Sequence, residues 1–184
     1  MKAVIGLGNP GIHYRFTRHN LGFLVIERLL ESSLVKIVAK RKKDQMEFWE
    51  AQVGEEVVKI ARPLVFMNES GQAIGPFVRF FKISPQNLLL VYDDLDLPFG
   101  CFRFRKQGSS GGHKGMASVI AVLSEEVPRL RIGIGRPPAG LSAEEYVLSQ
   151  FLPSEKTKLS SVLDEAVKII LEWIQKGNNG NPTS

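Results

Sequence analysis

The segment Leu88-Leu89-Leu90-Val91-Tyr92, closed at once by Asp93 and Asp94, constrains this chain more than any other. Five apolar residues without alternation do not make a strand with one wet face. Such a run is buried on both faces, which requires helices above and below a sheet. Acids at the carboxyl end of such a strand stand where open α/β sheets place their sites. The rest of the chain supplies partners. Lys2–Gly6 reads as a second buried strand that ends in a glycine-rich turn. Met46–Val53 and Val57–Arg62 read as two strands joined at Gly54-Glu55. Cys101–Arg105 alternates large apolar and basic residues as a strand with a positive face, and Arg129–Ile134 is a further strand. Helices are expected from Asn20, as cap, to about Ser32, and from Asn68, as cap, over Glu69–Lys82 with a kink or restart at Pro76. Others are expected near Gly115–Ser124, behind the Ser142/Glu145 capping box, and from about Glu155 to Lys176. The pattern is a single three-layer α/β domain over residues 1–176, with 177–184 a polar tail expected to fray.

Composition narrows the function classes. The chain has 184 residues, 43% hydrophobic and 23% charged, which is globular rather than disordered. No apolar run approaches the ~18 residues of a membrane span. Met1–Leu7 is too short for a secretory core and is interrupted by Asn9-Pro10. The one cysteine, Cys101, makes no internal disulfide and fits a reducing cytoplasm. The formal net charge is +5, a balance that favours polyanions. Five of the eight residues from Lys36 to Lys43 are basic and read as a solvated face, while Arg103, Arg105 and Lys106 form a second basic group.

Gly6-Leu7-Gly8-Asn9-Pro10-Gly11 matches G-x-G-x-x-G after a strand and invites a dinucleotide reading, and with it a nicotinamide-dependent oxidoreductase. That motif needs a helix starting in the turn, and Ile12–Arg18 has no helical periodicity. His19 stands at a loop-to-helix boundary, where it serves either as a packing residue or as a base near neutral pH. Asp93 is the carboxylate that would accept one imidazole N–H and leave the other nitrogen as the base. With three histidines, no H-x-x-x-H and no C-x-x-C, no metal and no cofactor is expected, and no G-x-S-x-G elbow marks a serine nucleophile. Gly108–Gly115 is a glycine loop that either holds an anion or simply connects strand to helix.

Together these segments resemble bacterial-type peptidyl-tRNA hydrolases. Gly6–Gly11 with Tyr14 and Thr17-Arg18-His19-Asn20-Leu21-Gly22 is similar to the family's opening motif. Pro63–Gly71 resembles P-x-x-F-M-N-x-S-G, Asp93–Gly100 resembles D-[DE]-L-D-L-P-x-G, and Gly111–Gly115 with Arg129–Gly135 resembles G-G-H-N-G and R-[LI]-R-[IV]-G-[IV]-G. The resemblance implies a mixed central sheet flanked by helices. It also implies hydrolysis of the ester joining peptide to tRNA, without metal, by an enzyme that usually acts as a monomer with no obligate protein partner and no membrane. By motif, His19 resembles the catalytic base and Asp93 its orienting acid. Asn9, Tyr14, Met67, Asn68 and His113 resemble substrate-binding positions. Arg103, Arg105 and Arg131 fall where the family sets basic residues against tRNA phosphate. One departure stands out: Lys114 occupies the place of the family's usual asparagine, and an ammonium donates but does not accept. A tRNA-binding module without catalysis is the alternative this departure keeps open.

Overall fold

The computed structural model describes residues 1–177. The strands are β1 (Lys2–Gly6), β2 (Lys36–Lys43), β3 (Met46–Val53), β4 (Glu56–Pro63), β5 (Leu88–Asp94), β6 (Phe102–Arg105) and β7 (Arg129–Gly133). The helices are α1 (Leu21–Glu31), α2 (Ser70–Phe80), α3 (Lys114–Val122), α4 (Ala143–Val147) and α5 (Pro153–Lys176). The strands form one mixed seven-stranded sheet in the order β2-β3-β4-β1-β5-β7-β6. Its centre, β4-β1-β5-β7, is parallel, and β3 and β6 pair antiparallel on either side of it.

Every residue of β5 is buried. Its side chains alternate between two cores: Leu89 and Val91 pack with α1 and α5, while Leu88, Leu90 and Tyr92 pack with α2 and α3. The chain leaves β4 on one side of β1 and returns as β5 on the other. That reversal opens a crevice at the carboxyl ends of β1 and β5, the position open α/β sheets use for their sites.

The structure corrects four local expectations. The basic Lys36–Lys43 segment is not merely a solvated face but edge strand β2, antiparallel to β3. An edge strand wet on both sides shows no apolar alternation, and lysines there guard the free edge. Asn20 does not cap α1 with its side chain, which instead binds the backbone of Asn9. Asn68 lies in a short 3-10 turn, Met67–Glu69, and the residue before α2 is Glu69. Helix α2 runs through Pro76 without a restart. The carbonyl that Pro76 cannot bond belongs to Gln72, an exposed residue where solvent can take the place of the missing N–H. The tail expected to fray, beyond Gly177, lies outside the described residues.

The first glycine of the G-x-G-x-x-G pattern serves packing. A Cβ on Gly6 would overlap the Gly22 carbonyl, and one on Gly22 would overlap the carbonyl oxygens of Leu7 and Val91. Strand β1 and helix α1 are therefore in backbone contact. The turn continues into a 3-10 segment, Ile12–Tyr14, rather than the helix a dinucleotide needs. Gly22→Ala is expected to cost about 1–3 kcal/mol of unfolding free energy by overpacking this contact. A urea melt with an unchanged midpoint would show that the helix is free to lift off the strand.

Candidate active site

A cleft of about 610 Å³ opens at the carboxyl ends of β1 and β5. It is lined by Asn9, Tyr14, His19, Met67, Asn68, Asp93, His113, Lys114 and Arg131. The structure thus gathers nine of the eleven side chains singled out in the sequence. Arg103 and Arg105 lie outside it, on β6.

Strand parity places Asp93. It follows Leu89 and Val91 on the α1 side of β5 and stands beyond the end of β1, where Gly6 pairs with Val91. His19 reaches it from the 3-10 turn Arg18–Asn20 that leads into α1. His19 Nδ1 lies 3.0 Å from each Asp93 oxygen. His113, the residue that caps α3, reaches the same carboxylate, with Nε2 3.1 Å from Oδ1. The other His113 nitrogen, Nδ1, accepts the Met116 backbone N–H at 3.1 Å. The His113 ring is stacked obliquely between those of His19 and Tyr92, at centroid distances of 4.9 and 4.6 Å.

These contacts set the protonation pattern. Burial alone would raise the Asp93 carboxyl. The imidazoles of His19 and His113 outweigh burial and hold it well below the usual carboxylate range. An ionised carboxylate only accepts, so each histidine donates an N–H to it. His19 then keeps the lone pair on Nε2. His113 accepts at Nδ1 and donates from Nε2.

His19, Asp93 and His113 offer ligand atoms within 4.8 Å of one another, close enough to be considered for a cation. Their hydrogen bonds disfavour that use. His113 Nε2 carries its proton because Nδ1 is the acceptor, and His19 Nδ1 is likewise a donor to Asp93. Neither nitrogen aimed at the carboxylate has a lone pair to give a metal.

Around this centre the side chains present apolar surface and amide donors. Asn9 Oδ1 accepts the Met67 N–H at 2.7 Å, which leaves the Asn9 NH2 for the cleft it lines. Asn20 fixes the Asn9 backbone at both its N–H and its carbonyl, at 2.8 and 2.9 Å. Met67 is buried against α3, where a Cβ on Gly115 would overlap its sulfur. Tyr14 meets Phe66 edge-on at 6.0 Å on the rim. Arg131 Nε pairs with Asp94 Oδ2 at 2.5 Å. Lys114 Nζ lies 3.3 Å from Glu144 on α4, and both side chains are largely exposed. Lys114 therefore stands at the mouth of the cleft.

Sequence reasoning missed Phe66, Tyr92, Glu144 and Leu148, which also line the cleft. Phe66 and Tyr92 adjoin singled-out residues, so chain proximity was the available signal. Glu144 and Leu148 come from α4 through the tertiary fold, and no local pattern points to them.

The lowered Asp93 pKa carries a stability prediction. Its contribution is fully present above the pH where an unfolded Asp titrates, about 3.9, and is lost as pH falls through the lower folded value. The loss of unfolding free energy caused by Asp93→Asn should be largest above about pH 4 and shrink progressively below it. Urea melts at a series of pH values check this; a penalty independent of pH would contradict it.

Comparison with known proteins identifies the family. The family described as peptidyl-tRNA hydrolase matches residues 3–183. A peptidyl-tRNA hydrolase of Desulfitobacterium hafniense is 43% identical over 180 residues, 97% of this chain and 96% of its own length. One from Shouchella clausii is 42% identical over 177 residues, 96% of this chain and 95% of the relative. The crystal structure of peptidyl-tRNA hydrolase from Acinetobacter baumannii superposes with a TM-score of 0.89 at 29% identity, covering 100% of this chain and 92% of that one. The chain belongs to the peptidyl-tRNA hydrolase family.

Proposed function

We propose that this protein is an esterase that hydrolyses the bond between peptide and tRNA in peptidyl-tRNA, with residues 1–176 acting as one domain. The observation that carries the reading is the His19–Asp93 pair in the cleft of a chain with this family membership. His19 Nε2 takes a proton from water, and the resulting imidazolium is stabilised by Asp93 through Nδ1–H. The water oxygen attacks the ester carbonyl. The ribose oxygen leaves with a proton returned from the imidazolium, giving free tRNA and peptide acid. The Asn9 NH2 and the exposed Asn68 amide, which line the cleft, are assigned as side-chain donors to the developing oxyanion, a role worth roughly 3–4 kcal/mol per donor in other hydrolases. Met67, with Tyr14 on the rim, supplies apolar wall for the peptide or the terminal nucleotide.

The tRNA body is assigned to the β6 edge. Arg103 lies opposite Arg131 in the β6–β7 register, and Arg105 lies opposite Arg129. Directly opposed residues share a face. Arg131 at the cleft thus continues into exposed Arg103 and Arg105, a basic path for phosphates. Lys114 adds charge at the mouth. We assign the protein to the cytoplasm as a monomer. Its substrate is made there and its free Cys101 fits a reducing compartment, while among the described residues no helix is long and apolar enough to cross a membrane.

The test is release of free tRNA from N-acylated aminoacyl-tRNA. His19→Ala should lower kcat by about 10²–10⁴ while tRNA binding survives; near-normal turnover in the variant would remove His19 as the base. Binding without turnover in the wild type would mark a tRNA-binding module instead.

Activity should also persist after exhaustive chelation on a substrate that needs no folded tRNA, such as an N-acyl-aminoacyl adenosine. Loss with chelator and recovery with zinc would overturn the mechanism. On the same short substrate, joint neutralisation of Arg103 and Arg105 should change little, while with full tRNA it should raise KM and flatten the salt dependence. Equal loss on both substrates would mean that these arginines support the fold or the site rather than phosphate binding.

A further inference from the structure

We infer that His113 is a positioning residue for the hydrolysis proposed above, and this inference rests on that reading. Held as its Nε2–H tautomer by the Met116 amide, it fixes the Asp93 carboxylate so that His19 is presented to the cleft through one ring orientation. The resemblance assigned this histidine to substrate binding, but both of its nitrogens are spent inside the protein. Nδ1 accepts the Met116 N–H, and Nε2 donates to Asp93. Its side chain is only 8% exposed, so what it can offer a ligand is a ring edge, not a hydrogen bond.

Asp93 shows why a second donor matters. The last torsion of an aspartate is soft, and one donor leaves the carboxylate free to swing about it. His19 donates from the α1 side and His113 from the α3 side, so the carboxylate is held from both faces of the sheet. With Oδ1 shared between the two imidazoles, the His19 Nδ1–H bisects the carboxylate at 3.0 Å from each oxygen. His113 is itself located by two features independent of Asp93. It caps α3, and the Gly108 loop that carries it is pinned by Arg129, which donates to the carbonyls of Gly108 and Ser109 at 2.7 and 3.0 Å. The loop's order is thereby transmitted to the base through one carboxylate.

The other charged or titratable groups around the trio are few. Tyr92 and Asp94 come from β5, with Asp94 paired to Arg131 of β7. Lys114 of α3 is paired to Glu144 of α4, and Tyr14 stands on the rim. Among the described residues, the side-chain hydrogen bonds to Asp93 come from His19 and His113, so the His113 donor is separable from these groups by substitution.

Two conservative variants divide the two bonds of His113. In His113→Asn the side-chain oxygen takes the place of Nδ1 and keeps the Met116 cap, but nothing reaches Asp93. In His113→Gln the amide nitrogen reaches the place of Nε2 and keeps the donor to Asp93, while the cap is weakened. With N-acyl-aminoacyl-tRNA as substrate, His113→Asn should lower kcat by about 10–100-fold, the usual cost of a small misplacement at a reacting centre. KM should stay within about twofold, the pattern of an interaction that acts on the chemical step. His113→Gln should recover most of kcat. In the substrate-free protein, the low-field proton resonance of His19 Nδ1–H, assigned by its loss in His19→Ala, should be sharp in the wild type and His113→Gln. It should be broadened or shifted upfield in His113→Asn. A raised KM at unchanged kcat in His113→Asn would make His113 a substrate contact and overturn the inference. So would full activity in the Asn variant with loss in the Gln variant, which would leave only the helix cap. If the wild type fails to hydrolyse the substrate, the functional reading fails. The proton resonance then decides separately, and an unchanged signal in His113→Asn overturns the positioning role.

Discussion

A buried carboxylate that accepts from two imidazoles is the interaction on which this site depends. Asp93 is almost fully removed from water, and an ionised group there is tolerated only when its oxygens are paired. Both partners come from outside the strand that carries it. The turn before α1 supplies His19, and the cap of α3 supplies His113. The two helical layers must therefore close correctly over the end of β5 before the charge is compensated. Correct folding of the α/β sandwich and assembly of the His19–Asp93 pair are in this sense one event.

Two buried guanidiniums hold the segments that supply those imidazoles. Arg18, next to His19, points away from the cleft. It pairs with Glu155 at 2.7 Å, donates to Ser149 and Gln150, and lies 4.1 Å from the Tyr146 ring centre. This ties the His19 turn to α4 and the start of α5. Arg129 does the same for the glycine loop, donating to the carbonyls of Val127, Gly108, Ser109 and Glu125. A glycine-rich loop has many conformations to lose, and a planar group with five donors removes them at once. The order of the His113 loop comes from this anchor rather than from the loop's own sequence.

The layers and the buried central strand of the sheet were legible because their signal is local. An unbroken apolar run reads as a doubly buried strand whatever surrounds it, and Ser142 and Glu145 form the capping box their spacing implies. Strand β2 was not legible. Its Lys-rich sequence is written for solvent on both faces, and its strand state comes from pairing with β3. Asn20 and Asn68 misled for a related reason. Both are residues that favour helix caps, but tertiary demands took them, Asn20 to brace the Asn9 backbone and Asn68 to face the cleft. The His19–Asp93 pairing could be argued from residue type and strand end. The second bond to Asp93 could not, because it depends on where a loop 20 residues later returns.

The charges at the cleft divide into two groups. Each Lys or Arg that lines the cleft has an acid beside it: Lys114 with Glu144, and Arg131 with Asp94. On the β6 edge, Arg103, Arg105 and Lys106 have no acidic partner among the described residues. A polyanion gains most where cations are uncompensated, and an exposed ion pair contributes little until a stronger anion replaces one member. On the proposed function, the uncompensated charge of β6 is where an RNA backbone would be drawn first. On the same reading, the paired cations nearer His19 would exchange their acids for phosphate only after that first contact. Placing the free charge away from His19 and the paired charge next to it would then let affinity come from the tRNA body rather than from the cleft.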